Sequence, residues 1–296
     1  MLESTKKRYL DRAESFLISR MEESFKLEEL AHSLQRASYD YRPAYWCELR
    51  IGLSLLLKEN GYLEAANRIT QCQNICPPGQ RKKKMRRLRK VNDEDEKRLI
   101  EHLENKGDDL AVCAIQLVKY TGARPCELNK ILWEKHRFTI SGAKKSEKLQ
   151  RGLDRTIALD NGEDTFKNFC DFVLSQMEIS ARDDKEIRAI QRRIYRASRA
   201  IFPRRKTHYS LYSWRHQFGS NLRASGLSAV EVAYIMGHQS TASVRQYGHR
   251  RSSNGFLKVR AVPSMEAMSS LVREKPVGDF ISAKILANSS APLSEG

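Results

Sequence analysis

No stretch of these 296 residues is long and apolar enough to cross a bilayer. The longest apolar run, Ile51 to Leu57, is broken by Gly52 and Ser54, and a spanning helix needs about 20 such residues. The opening MLESTKKRYLDRAE mixes charges of both signs and has no apolar leader core. Cysteine is sparse and scattered (Cys47, Cys72, Cys76, Cys113, Cys126 and Cys170). That pattern reads as reduced, buried thiols in a cytoplasmic protein, not as a disulfide framework. Cys72 and Cys76 lie close together, but no second ligand pair follows at zinc spacing. Acidic residues are in deficit, and no cluster of them suits a pair of divalent ions. No metal and no cofactor is expected. No internal repeat is visible.

What the sequence does have is positive charge. Its 53 basic and 36 acidic residues give a formal net charge of +17, which calls for a polyanionic partner, DNA or RNA ahead of a membrane surface. Apolar residues make up 40% of the chain, enough for a core in each of the two domains that this length suits. Residues 1–76 read as all-helical, with helices near 4–20, 27–36, 43–59 and 62–73 and breaks at Tyr41-Arg42-Pro43 and Gly61. Pro77, Pro78 and Gly79 end that bundle. Eight of the ten residues from Arg81 to Lys90 are then Lys or Arg, including Arg81, Lys82, Lys83, Lys84, Arg86 and Arg87. Residues 77–92 therefore read as a basic linker, either a solvated hinge or a segment neutralising phosphates, and the two roles are compatible.

The second domain is expected over 93–262. Asn92 caps a helix whose first turn, Asp93 to Glu96, is acidic and matches the helix dipole. An apolar helix from about Asp108 to Tyr120 ends in T-G-A-R-P-C-E-L, where Gly122 permits a turn, Arg124 projects from it and Glu127 can buttress the guanidinium. Two β-like runs, 137–140 and 155–159, flank a polar turn that carries Lys144, Lys145 and Lys148. Residues 163–180 suit an amphipathic helix using Phe166, Phe169, Phe172, Val173 and Met177. From Lys185 to Phe202, Ile187, Ile190, Ile194 and Ile201 mark one helix face; Arg188, Arg192, Arg196 and Arg199 mark another. That arginine stripe is either solvated surface or a phosphate-contacting face, and its shortage of acidic partners favours phosphate. Arg204 and Arg205 extend it.

The segment Tyr212 to Tyr247 organises the rest. A helix over about 210–225 carries Leu211, Trp214, Phe218 and Leu222 as its apolar stripe, with Tyr212, Arg215 and His216 off its edge. Gly226 stops it, and Ser228 with Glu231 forms a capping box that starts a short helix ending at Gly237. His238 follows at once, a third helix begins at Ser240 or Thr241, and Tyr247 lies nine residues beyond His238. Folding back brings Arg215, His238 and Tyr247 towards one phosphate-sized spot. A terminal region over 263–296 holds a short helix, with Met265, Met268, Leu271 and Val272 as an apolar stripe, and then a mobile tail from Lys275. That stripe docks either on its own domain or on a neighbouring protomer.

W-R-H-x-F, G-L-S, M-G-H and the later tyrosine, preceded by T-G-x-R-x-x-E-L about ninety residues upstream, resemble the motifs of the tyrosine recombinases, the phage integrase family. The pattern departs at one place, where Tyr212 stands for the first histidine of H-x-x-R; both side chains can hydrogen-bond a phosphate oxygen. The resemblance covers about residues 93–262 by motif. It implies a mainly α fold with a small antiparallel β-sheet, in which a helical DNA-core-binding bundle and a mixed α/β catalytic domain form a clamp around DNA. It also implies a catalytic set of Arg124, Lys144, Tyr212, Arg215, His238 and Tyr247, supported by Glu127, His216 and Lys145. Tyr247 would attack a DNA phosphodiester to give a 3′-phosphotyrosine without Mg²⁺, and a 5′ hydroxyl would then reverse the step through a Holliday junction. Double-stranded DNA with paired half-sites, a dimer on each site and a tetramer at synapsis are the implied partners. A mobile element and the bacterial nucleoid are the implied setting. Two rivals remain: a type IB topoisomerase-like enzyme, and a non-catalytic DNA-binding regulator with this fold.

Overall fold

The computed structural model describes residues 3–21, 26–83, 88–134, 137–143, 152–159, 171, 172, 175, 183–246, 250–255 and 259–274. The chain divides into two compact units, Met1–Met85 and Arg86–Gly296.

The first unit is helical. Helices α1 (Glu3–Arg20), α2 (Leu27–Arg36), α3 (Pro43–Glu59) and α4 (Leu63–Gln71) fall within about a residue or two of the breaks set by Pro43 and Gly61. Pro43 sits at the first turn of α3, where its missing N–H is no loss. Phe16, Leu30, Leu34, Trp46, Leu49, Leu53 and Ile69 form the core, and the Trp46 indole donates to the Leu34 carbonyl at 2.7 Å.

In the second unit, α5 (Asp93–Glu104) starts at Asn92, whose side chain accepts from the amides of Glu94 and Asp95. Its acidic first turn does more than meet the dipole, because Asp95 and Glu96 are buried. Asp95 accepts both guanidinium nitrogens of Arg205, at 2.6 and 3.0 Å, and the Tyr209 hydroxyl at 2.6 Å. Glu96 accepts the Trp214 indole at 2.8 Å and pairs with Lys119. Helix α6 (Asp109–Thr121) runs into a 3-10 helix, Pro125–Lys130, and then into the sheet.

The sheet is antiparallel in the order β1 (Ile131–Glu134), β2 (Arg137–Ile140), β3 (Arg155–Leu159), β4 (Val259–Ala261). The register pairs Phe138 with Ile157 and Ile140 with Arg155. Strands β2 and β3 match the β-like runs in the sequence, whereas β1 and β4 were not foreseen. β4 is only three residues long, and β1, with Ile131, Leu132 and Trp133 in succession, shows no polar–apolar alternation. Helix α7 (Asp184–Ile201) buries Ile187, Ile190 and Ile194 against the core. The expected helix over 163–180 lies outside the described residues apart from Asp171, Phe172 and Ser175, and Phe172 is 52% exposed.

Helix α8 (Leu211–Ala224) departs from expectation in its surroundings. Its stripe Leu211, Trp214, Phe218 and Leu222 is buried as read, but so are Arg215 and His216; Arg215 is enclosed where it donates to the Gly122 and Met236 carbonyls. Helix α9 (Ala229–Ile235) starts at the Ser228–Glu231 capping box and is followed by Gly237 at φ 66°. A 3-10 helix, Thr241–Gln246, comes next. Helix α10 (Met265–Leu271) packs on its own unit: Met268 and Val272 are in the core, and Met265 and Leu271 are exposed. The Thr241 amide donates to the Arg273 carbonyl at 3.2 Å, and the Arg273 amide to the Gln239 carbonyl at 3.0 Å. Residues 275–296 lie outside the description. Among the described residues, no helix is long and apolar enough to cross a membrane.

Candidate active site

The site is assembled from four short pieces of chain around one carboxylate. Helix α6 ends at Gly122, whose φ of 61° favours glycine, and a Cβ there would fall 2.2 Å from the Phe218 ring. The chain therefore turns tightly over α8 and delivers Arg124 as the N-cap of the 3-10 helix. Glu127 reaches back to that cap. Its Oε2 accepts the Arg124 amide at 2.8 Å, and its Oε1 the Arg124 Nη1 at 2.6 Å. The same carboxylate accepts Arg155 Nη2 on Oε2 at 2.9 Å and the Ala143 amide on Oε1 at 3.0 Å. Four donors fill the four lone-pair positions of a carboxylate.

The second half of the site is the turn after α9. Arg124 Nη2 donates to the Gly237 carbonyl at 3.1 Å. Arg215 Nη1 donates to the Gly122 carbonyl; its Nη2 donates to the Met236 carbonyl at 2.7 Å and meets His238 Nε2 at 3.3 Å. Arg215 thus ties the end of α6 to the end of α9. Gly237 is fixed by more than its positive φ: a Cβ there would lie 2.6 Å from Arg155 Nη1 and 3.3 Å from Arg124 Nη1. The glycine of M-G-H is where two guanidiniums press against the backbone.

The electrostatics follow from this packing. Burial pushes the Glu127 carboxyl up, but Arg155, Arg124 and Arg215 outweigh it and hold the group at about 2. Burial pushes the His238 imidazole down to about 2, helped by Arg215, Arg124 and Arg155, so the ring is neutral at pH 7. An arginine cannot accept, so Nε2 accepts from Arg215 and the ring proton sits on Nδ1. Burial also lowers Arg155, against the pull of Glu127; its Nε and Nη1 have no partner among the described residues. Three guanidiniums facing one carboxylate leave an excess of two positive charges. Arg215 is fully buried, and the Arg124 side chain keeps 14% of its surface exposed.

The structure brings together Arg124, Glu127, Arg215 and His238 from the expected set. Tyr212 is half-buried in the first turn of α8, one turn before Arg215, and His216 is buried on the same helix. Lys144, Lys145 and Tyr247 lie outside the described residues. The base of the lysine turn is fixed, because the Ala143 amide is on Glu127 and the Gly142 amide donates to Asp154 at 2.7 Å. Arg155 is the member that sequence reading missed. Its signal was there: it lies in phase with Ile157 and Leu159, on the buried face of β3.

The basic surface is divided. Arg188, Arg192, Arg196 and Arg199 are all exposed on α7, as is Arg204. Arg205 is exposed too, but its guanidinium is engaged by Asp95 and stacks on Phe202 at 4.1 Å. Arg193, off the stripe, holds Asp108 with two bonds of 2.7 and 3.0 Å. Lys82 and Lys83 are exposed, whereas Arg81 donates its Nε to the Cys76 carbonyl at 2.9 Å; Lys84, Arg86 and Arg87 lie outside the description.

No curated protein matches the chain. Among solved structures, it is similar to a lambda integrase tetramer bound to a Holliday junction, with 16% identity over 85% of this chain and 73% of that one and a TM-score of 0.56. A lambda integrase dimer bound to a COC′ core site gives 17% identity, 83% and 72% coverage and a TM-score of 0.55. The Tn1549 transposon integrase in complex with a circular intermediate DNA gives 12%, 84%, 90% and 0.51. At such identities the likeness is one of fold. The phage integrase family model matches residues 89–254, more than half of the sequence, and takes in Arg124, Glu127, Arg155, Arg215 and His238; the chain belongs to the phage integrase family.

Proposed function

We propose that this chain is a site-specific tyrosine recombinase that cuts and rejoins double-stranded DNA through a 3′-phosphotyrosine on Tyr247. The observation that carries the reading is the excess positive charge at a largely buried, hydrogen-bonded cluster: Arg124, Arg155 and Arg215 around Glu127, with His238 against Arg215. A scissile phosphodiester supplies the missing negative charge. Its burden grows in the pentavalent transition state, where preorganised cations act most strongly. Arg124, the most exposed of the three, binds a non-bridging oxygen. Arg215 contributes its charge from beneath and holds the His238 ring so that Nδ1–H donates to the phosphate. A ring whose pKa is held at about 2 is a poor proton acceptor and a good neutral donor.

Tyr247 attacks phosphorus as its phenolic proton passes to solvent, the phosphotyrosyl bond forms, and the bond to the 5′ oxygen breaks. Lys144 or Lys145, on the turn whose base Glu127 pins, gives the departing oxygen its proton. Attack by the 5′ hydroxyl of another strand reverses the step, and a second round resolves the Holliday junction. The exposed arginines of α7 and the basic run over 81–90 neutralise backbone phosphates along the duplex. Assembly as dimers on paired half-sites and as a tetramer at synapsis, in the service of a mobile element, accords with the complexes in which the similar integrases were solved. A suicide DNA substrate that traps covalent protein–DNA adducts tests the chemistry, and a two-site plasmid assay tests strand exchange.

A further inference from the structure

One buried amide grips the chain on either side of the site. Gln217, two residues after Arg215 on α8, accepts the Val91 amide on Oε1 at 3.0 Å. Its Nε2 donates to the Ser252 carbonyl at 2.8 Å and lies 2.9 Å from both Asn221 Oδ1 and Asn254 Oδ1. Asn221, one turn on, donates to Asn254 Oδ1 at 3.0 Å and accepts the Asn254 amide at 3.2 Å. Asn254 also donates to Asp93 at 2.7 Å. Val91 is itself buried and directly follows the basic run that ends at Lys90. Ser252 lies five residues after Tyr247.

We infer that Gln217 is a positioning residue for the segment that carries Tyr247, and that it ties that segment to the end of the basic run. The inference rests on the recombinase reading above. The argument is one of anchoring. Upstream of Tyr247, the 3-10 helix 241–246 is tied to the α10 segment through Thr241 and Arg273. Downstream, the chain is held through Ser252 and Asn254 to α8, the helix that carries Arg215. A nucleophile strung between two anchors has its reach set by them, and a small misplacement is costly in rate. The downstream anchor shares a single side chain with Val91. Seating of Arg89 and Lys90 on DNA and presentation of Tyr247 are therefore coupled through one amide, whose two ends make the two sets of bonds.

The test separates the two ends. Gln217→Glu keeps the acceptor for Val91 and removes the donors to Ser252 and Asn254. Asn254→Ala cuts the same arm at an exposed position with little risk to the fold. Adduct formation on a saturating suicide half-site, DNA affinity and unfolding midpoint are measured for each variant. Both variants are expected to slow adduct formation by about tenfold, the scale of one or two lost hydrogen bonds, with affinity and the Asn254→Ala midpoint unchanged. Arg89→Gln with Lys90→Gln should slow adduct formation in the wild-type background and add nothing in Asn254→Ala. Wild-type rates in both single variants, or rate losses that only mirror lost affinity, would overturn the positioning role; full additivity would overturn the coupling. No adduct from the wild-type protein overturns the recombinase reading and this inference with it. A normal wild-type adduct beside an unimpaired Asn254→Ala overturns the inference alone.

Discussion

Two sets of arginines in this protein differ in everything but charge. Arg155 and Arg215 are buried, fixed by carboxylate and carbonyl partners and packed against glycine backbone. Arg188, Arg192, Arg196 and Arg199 stand exposed on one face of α7. On the proposed reading, the first group is organised around a single phosphate at a fixed place. The second suits any phosphate along a duplex and is screened by salt. A count of 53 basic residues cannot separate the two groups; burial and hydrogen bonding can.

Substitutions should sharpen that contrast. Arg155→Leu takes one buried donor from Glu127, which keeps Arg124 and the Ala143 amide. It is therefore expected to cost about 1–3 kcal/mol of stability in urea unfolding, whereas Arg192→Leu stays within about 0.5 kcal/mol. Equal effects would merge the two populations. On the chemistry, Arg124→Ala should slow adduct formation by about 10²–10³-fold, the loss typical of one preorganised donor, while DNA affinity changes little. A parallel loss of affinity would move Arg124 to the exposed group.

The pH dependence separates the regions again. The folded pKa of His238 is lowered below its ordinary 6.5, so the unfolded chain takes up a proton that the folded chain refuses. Its contribution to stability is complete above 6.5 and is lost as the pH falls towards 2, by about 1.4 kcal/mol per pH unit. Glu127 adds a second loss below its ordinary 4.5. Wild type should therefore lose stability between pH 6.5 and 5 more steeply than His238→Gln; parallel profiles would contradict a neutral buried ring. The smallest effect belongs to the surface. Each α7 arginine changed to Gln should lower the slope of log affinity against log salt by about 0.9, and an unchanged slope would mark the stripe as solvated surface.

Sequence patterns carried the helices and half of the site. Gly122 and Gly237, the Ser228–Glu231 box and the Arg124–Glu127 spacing are local signals, and local geometry obeys them. What escaped depends on distant partners. Asp95 and Glu96 look like dipole-matching acids until Arg205, Tyr209 and Trp214 arrive from more than a hundred residues away. Arg215 looks like an edge residue until the Gly122 and Met236 carbonyls, 93 and 21 residues away, enclose it. Arg155 opens β3 in phase with its buried positions, and its register opposite Ile140 and its bond to Glu127 make it part of the cluster. For α10, Met265, Met268, Leu271 and Val272 gave a stripe without a docking partner, and the Arg273 bonds to Gln239 and Thr241 supply one.

The most direct test is to incubate the full chain with a suicide half-site in excess EDTA and map the modified residue by peptide mass spectrometry. The account predicts a covalent DNA adduct on Tyr247, formed without divalent metal and absent from Tyr247→Phe. That variant should still bind the half-site normally. Tyr234 is no substitute, since its buried hydroxyl accepts the Thr156 amide at 3.0 Å. An adduct on another residue, or one that vanishes in chelator, would contradict the proposed site.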